Sequence, residues 1–255
     1  MTVAAYAPEI INPDATENLV ILCEHASNHI PVDLDNLGLP AGELKRHIAW
    51  DIGAEAVTRK MCEMMGVSAV VAKASRLVLD ANREPDHTTL IPLESDGTLI
   101  PGNQNLSVED IQRRKEVFYD PFHQAVDSVI ERHLEAGVNP IVIGMHSFTP
   151  HMDSFDRPWQ IGFLWNKDQR LAQAMIGLLE RETDLTIGDN EPYSGQDLYY
   201  TMQRHGADRG LPQTTIEIRQ DLLADDNMVT QWAALLAECL DECMGRADLM
   251  KREYF

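Results

Sequence analysis

The sequence predicts an α/β sandwich in one unit, residues 1–255, and three observations carry that expectation. Uninterrupted apolar runs, Leu19 to Cys23 and Ile141 to Met145, are too short for a helix that must bury a face and suit buried strands of a parallel sheet. Such strands alternate with longer stretches whose apolar residues recur at the helical period. No internal repeat, low-complexity tract or composition shift divides the chain.

In chain order, the first strand, Leu19 to Cys23, empties within one residue into Glu24, His25, Ser27, Asn28 and His29. A turn-rich loop from Pro31 to Pro40 follows, then a helix expected over Leu44 to Met65 and ended by Gly66. On that helix His47 and Asp51 would stand one turn apart on the same face. Val67 to Ala72 and Arg76 to Leu79 are expected strands, and Glu84 to Leu106, rich in Pro, Gly, Asp and Asn, is a long irregular excursion. Ser107 caps a helical pattern that runs to Gly137, with Pro121 as a kink or break. Ile141 to Met145 is a strand that runs abruptly into His146. Trp159 to Trp165 is another strand, followed by a helix over Asp168 to Arg181 and a short extended piece, Leu185 to Ile187. Gly188 to Gln196 is turn chemistry. Gln213 to Arg219 alternates as a strand with Glu217 in its middle, and Met228 to Met244 is an amphipathic helix that packs on the sheet.

Composition narrows the function. The 44% hydrophobic content is that of an ordinary globular protein, and 41 acidic against 21 basic residues give a net charge of −20. That argues against nucleic acid or an anionic membrane surface as partner, since both require clustered Lys and Arg. An anionic substrate would need specific arginines to hold it against the overall field. Met1 to Asn18, with Glu9, Asp14 and Glu17, is no signal peptide, and no apolar run reaches membrane-span length. Cys23, Cys62, Cys239 and Cys243 are scattered and fit buried thiols in a reducing compartment, so a cytoplasmic location is expected.

Two histidines end buried strands, and a carboxylate lies within a third. A hydrolytic zinc site needs that inventory: imidazole and carboxylate ligands, an open position, and a carboxylate to take a proton from water. Each histidine alone fits a hydrogen-bonded core or loop residue better than a ligand. Arg76, Arg83, Arg157, Arg209 and Arg219 sit in or beside candidate loops or strand ends. For Arg157 and Arg209 the expectation is surface salt bridging. No phosphate-binding glycine loop and no Gly-x-Ser-x-Gly element is present. Ser147 is expected to bond backbone, and Cys23, which continues an apolar run, to be inert.

Six blocks in order resemble the N-formylglutamate amidohydrolase family: Cys-Glu-His-Ala-Ser-Asn-His-Ile-Pro at 23–31, His-Ile-Ala-Trp-Asp-Ile-Gly-Ala at 47–54, Ser-Arg-Leu-Val-Leu-Asp-Ala-Asn-Arg at 75–83, Gly-Met-His-Ser-Phe-Thr-Pro at 144–150, Asn-Glu-Pro-Tyr-Ser-Gly at 190–195 and Ile-Glu-Ile-Arg-Gln-Asp at 216–221. The resemblance, through related zinc carboxypeptidases and acylamino-acid deacylases, implies a three-layer α/β/α fold with a mixed, mostly parallel central sheet. It implies one Zn2+ per chain, with His25 and His146 as ligands and Glu217 as general base. Asn82 and Arg83 would grip a substrate carboxylate, Arg76 would help hold the oxyanion and Tyr193 would close over the substrate. The relatives' His-x-x-Glu pattern fails, because Asn28 stands three residues after His25. The resemblance then implies a carboxylate from elsewhere, and Asp51 is the expected ligand because it lies within a matching family block, with Glu24 as runner-up.

The implied activity is hydrolysis of an N-acyl acidic amino acid, N-formyl-L-glutamate above all, to formate and glutamate. The alternatives are a zinc deacylase or peptidase acting on another small substrate, and a non-catalytic ligand-binding protein of the same fold.

Overall fold

The structure, a computed structural model, describes residues 3–255. In chain order its strands are β1 (Glu9–Ile11), β2 (Leu19–Cys23), β3 (Ser68–Val71), β4 (Glu94–Ser95), β5 (Thr98–Leu99), β6 (Ile141–Phe148), β7 (His151–Met152), β8 (Phe155–Asp156), β9 (Ile161–Leu164), β10 (Ile187–Asp189) and β11 (Gln213–Arg219). Its α-helices are α1 (Val3–Tyr6), α2 (Ala54–Met65), α3 (Val108–Arg114), α4 (Asp120–Glu135), α5 (Arg170–Glu182), α6 (Tyr200–His205) and α7 (Asp226–Met244). Seven strands form the central sheet in the order β1-β3-β2-β6-β11-β9-β10. Its β2–β3, β2–β6, β6–β11 and β9–β10 pairs are parallel, and its β1–β3 and β9–β11 pairs are antiparallel.

Side-chain alternation along the strands makes the layers. Leu19, Ile21 and Cys23 of β2, with Ile141, Ile143 and Met145 of β6, join a core that also takes in residues of α2, α5 and α7. The alternate residues Val20, Leu22 and Val142 face a second core with Phe122, Val126 and Ile130 of α4 and Met202 of α6. Burial on both faces explains why these strands are continuously apolar rather than alternating. Ile21 and Ile143 are fully buried, and truncating either to Ala should cost about 2–5 kcal/mol.

Two local expectations need correction. The segment 44–65 is not one helix: a short 3-10 turn covers Glu43–Lys45, and α2 begins only at Ala54. The Asp51 N–H donates to the His25 carbonyl (2.9 Å) instead of continuing a helical ladder. Gly53, at φ 87°, then turns the chain, and a Cβ there would sit 2.6 Å from that of Leu223. Asp51 therefore lies on a loop fastened to the end of β2.

Arg76 to Leu79 is a turn and not a strand. The neighbouring places in the sheet beside β3 are taken by β1 and β2. Leu77, Val78 and Leu79 are buried in a third core, and side chains satisfy their carbonyls. Asn103 Nδ2 donates to Leu77 O (2.8 Å) and Arg114 Nη1 to Val78 O (3.0 Å). The break expected at Pro121 is present. A π-helical turn, Lys115–Tyr119, joins α3 to α4, and Pro121 falls in the first turn of α4, where its missing N–H costs least. Ser107 does cap α3, accepting from the Asp110 N–H.

Candidate active site

Strands β2, β6 and β11 run parallel, so their carboxyl ends open on one edge of the sheet, where ligands of such sheets bind. His25 lies two residues beyond β2, while His146 on β6 is the register partner of Glu217 on β11. Asp51 is brought in by its backbone bond to His25. Arg76, Asn82 and Arg83 come from the turn after β3, and Tyr193 from the loop after β10. All eight line one cavity of about 220 Å³. Gly162 on β9, beside Glu217, presses against the Glu191 carbonyl where any Cβ would collide. Asn190 Oδ1, accepting from Trp165 N (2.9 Å) and Gly195 N (3.0 Å), folds the same loop down.

The donor set is directional. Asp51 Oδ2 lies 3.2 Å from Nδ1 of His25 and 2.8 Å from Nδ1 of His146. The far nitrogens face other buried carboxylates: His25 Nε2 is 2.7 Å from Asp80 Oδ1, and His146 Nε2 is 3.3 Å from Glu24 Oε2. With His25 Nε2 bonded to Asp80 and His146 Nε2 facing Glu24, both Nδ1 atoms turn inward onto the same Asp51 oxygen. Their ligand atoms lie within 4.8 Å of one another, close enough for a proton or a metal ion to join them. Buried His25, Asp51 and His146 can therefore hold a metal ion, with outer carboxylates fixing ring orientation and tautomer.

Charge follows from this packing. Burial opposes the imidazolium of His146, yet Asp51 and Glu24 raise its pKa well above the ordinary value. Burial and Arg76 oppose the charge on His25, and Asp80 with Asp51 prevails, so it too is raised. Burial likewise opposes the carboxylates, but the imidazoles hold Glu24 down at about 2 and keep Asp51 and Asp80 low. Glu217 behaves oppositely. Burial, with Asp51 adding to it against His146, pushes it up to about 7, and its buried Oε2 has no hydrogen-bond partner among the described residues.

The sequence reading did not single out Asp80. It accepts from His25 Nε2 (2.7 Å), Arg76 Nη2 (2.8 Å) and Asn82 N (3.0 Å), and so ties three expected site residues together. The available signal was its position between Arg76 and Asn82 in one family-like block. Arg76 also reaches Asp51 Oδ1 at 3.3 Å. Asn82 Oδ1 is occupied by Thr201 N (3.1 Å) and Oγ1 (3.0 Å), which leaves the donor end of its amide. Asn28 is turned away and donates to Leu44 O (2.8 Å), while Glu24 lies behind His146 and not among the converging donors. His47 lines the cavity with Asp51, although no helix joins them.

Arg209 forms the expected ion pairs, with Glu131 and with Asp127. Arg157 does not: it is buried, and no carboxylate among the described residues lies within ion-pair distance. Ser147 Oγ donates to Ile52 O (2.8 Å), and Cys23 is a buried free thiol. Among the described residues no helix is long and apolar enough to cross a membrane.

The family model for N-formylglutamate amidohydrolase matches residues 17–224. Among solved structures, a gene product of Agrobacterium tumefaciens is similar at 36% identity and TM-score 0.90, over 93% of this chain and 94% of that one. An N-formylglutamate amidohydrolase from Ralstonia eutropha JMP134 shares the fold at TM-score 0.71 and 18% identity, over 92% of this chain and 99% of that one. No curated protein matches the chain by sequence.

Proposed function

The chain belongs to the N-formylglutamate amidohydrolase family and is an amide hydrolase, and on that premise we propose that its substrate is N-formyl-L-glutamate and its metal zinc. The supporting observation is the convergence of His25 Nδ1, Asp51 Oδ2 and His146 Nδ1 beside Glu217 in one cavity. Two imidazoles and one carboxylate suit zinc better than the oxygen sets of calcium or magnesium. An ion held there supplies Lewis-acid polarisation of the amide carbonyl and activation of water.

The chain's own groups do the rest. Glu217, poised near 7 by burial, takes a proton from the attacking water and returns it to the departing nitrogen. Arg76, held by Asp51 and Asp80, fixes a cation at the cavity wall where the oxyanion develops. The Asn82 amide N–H and the Arg83 fork hold the α-carboxylate. Arg83 suits that role because its Nε and Nη1 bond neutral oxygens of Thr89 and Asn82 and no carboxylate among the described residues pairs with it.

A hydrolysis screen over N-formyl, N-acetyl and N-succinyl amino acids, with metal content measured in parallel, tests this reading. The expected result is one zinc per chain, N-formylglutamate as the best substrate, and a Glu217→Gln variant slowed by roughly 10²- to 10⁴-fold with its zinc retained. A protein that holds no stoichiometric metal, or a Glu217→Gln variant at full rate, overturns it.

A further inference from the structure

We propose that Tyr193 and Arg157 form the subsite for the substrate's side-chain carboxylate, with the phenol touching the substrate and Arg157 acting as a positioning residue behind it. The inference rests on reading the substrate as an N-acyl acidic amino acid.

In a chain with 41 acidic and 21 basic residues, a buried arginine with no carboxylate beside it needs a reason. Arg157 is 8% exposed, and taking a guanidinium out of water is costly unless strong acceptors replace the solvent. Arg114 shows what a purely structural buried arginine looks like here. It also lacks a carboxylate, but Asn103 Oδ1, Val78 O and Gly102 O accept from it at 2.7, 3.0 and 3.1 Å. Arg157 is less well served. Thr149 O and Oγ1 lie at 3.4 and 3.3 Å from Nη1, Tyr193 Oη at 3.1 Å, and the acceptor of Nη2 is the Met152 thioether. A thioether is a weak acceptor, and beyond it the guanidinium has the faces of two aromatic rings, so no anion among the described residues balances its charge.

That charge stands directly behind the cavity. Phe148, Thr149, Met152 and Tyr193 all line the cavity, and each contacts the Arg157 guanidinium. The guanidinium lies 4.9 Å from the Tyr193 ring centroid and 5.7 Å from that of Phe148, two residues after His146. The bond from Arg157 has a further consequence. The Arg157 N–H occupies a lone pair of the phenol oxygen, so the phenol's own hydrogen is free for an acceptor in the cavity. A donor backed by a buried cation suits a carboxylate and is wasted on a neutral amide. Arg83 and Arg157 approach from different elements, the turn after β3 and the segment after β8, so a dicarboxylate would meet a separate cation at each end.

Steady-state kinetics of the zinc-loaded wild type, Tyr193→Phe, Arg157→Gln, Arg157→Lys and the double variant, on N-formylglutamate and N-formylglutamine, test the pair. Tyr193→Phe removes one oxygen, and melting curves identify any Arg157 variant that fails to fold. Selectivity for the acid over the amide should fall roughly ten- to a hundredfold in Tyr193→Phe and Arg157→Gln, from the loss of a hydrogen bond to a charged group. Most of the change should appear in KM for the acid and less in kcat. Arg157→Lys should recover part of the selectivity, and the double variant should fall no further than Tyr193→Phe alone. A wild type that favours the acid while both single variants keep that preference overturns this inference and leaves the proposed substrate standing. A wild type that hydrolyses neither compound, or does not favour the acid, overturns both.

Discussion

Two buried histidine pairs lie in this chain, made of the same rings at nearly the same separation. His25 and His146 stand edge to face with centroids 4.9 Å apart, and His123 and His205 are stacked at 5.1 Å. The first pair meets three buried carboxylates: Asp51 between the rings, and Asp80 and Glu24 behind them. In the second, His123 Nδ1 and His205 Nε2 bond each other at 2.8 Å, and the single carboxylate in ion-pair contact is half-exposed Asp127, 3.1 Å from His205 and shared with Arg204 and Arg209. Burial opposes a positive charge in both places. Carboxylates overcome it at the first pair, which is raised, and fail to at the second, where His123 falls to about 3 and His205 is also lowered. The lesson is that burial does not determine what a histidine does; the carboxylates facing each nitrogen do. Nδ1 atoms converging on Asp51 make a place that could hold a cation, whereas a neutral pair that donates within itself makes a structural tie.

The harshest way to break this contrast is to remove its central carboxylate. Asp51→Ala should abolish stoichiometric zinc binding and cost activity roughly a thousandfold, beyond the ten- to hundredfold usual for an outer partner. Metal analysis and kinetics on N-formylglutamate check both, and a variant that keeps its zinc would show that the converging Nδ1 atoms need no carboxylate. Replacing an outer partner should do less. Asp80→Asn leaves His25 Nε2 an acceptor of similar shape but no charge, so zinc affinity should weaken by roughly ten- to a hundredfold. Competition titration against a chelator reads that change, and an unaltered affinity would remove Asp80 from the site.

How much of this was legible depends on how far each signal reaches along the chain. His25 and His146 showed as abrupt ends of apolar strands, and Glu217 as an acid within one, because strand, edge and face are all local properties. The α/β sandwich was likewise legible in the alternation of short apolar runs with amphipathic helices, whereas the mixed sheet was implied by the family resemblance. Asp51 was picked out by its family-like block, but its setting was misread. Leu44, Ile48 and Ile52 recur at a helical spacing, whereas their backbone is governed by a bond to His25 and by the left-handed turn at Gly53. Arg76 to Leu79 looked like a strand because burial, not pairing, makes a run apolar. The places of Glu24 and Asp80 behind the two rings were out of reach for a different reason. Which nitrogen of a ring a carboxylate faces is fixed by packing across elements, and no spacing in the sequence encodes it. Arg157 was misjudged for the same cause, since only the fold encloses it between Phe148 and Tyr193.

The mildest test acts on the second pair. His123 is depressed below the ordinary histidine value by burial first, then by His205 and Arg204, with Glu24 and Asp127 opposing too weakly. At this one site the unfolded chain therefore binds up to one more proton than the folded one between pH 6.5 and about 3. Stability falls as the pH drops through that window, by roughly 1.4 kcal/mol per unit for one such group. His123→Asn keeps a nitrogen donor near Nδ1 for His205 and removes the titrating ring, so the acid branch of the stability curve should flatten by about that slope. Denaturant titrations from pH 7 to 5 measure it in both proteins, and the slope is informative even if the smaller side chain lowers the whole curve. An unchanged slope would mean that the second pair is not held neutral, and the contrast between the two clusters would then lie in geometry alone.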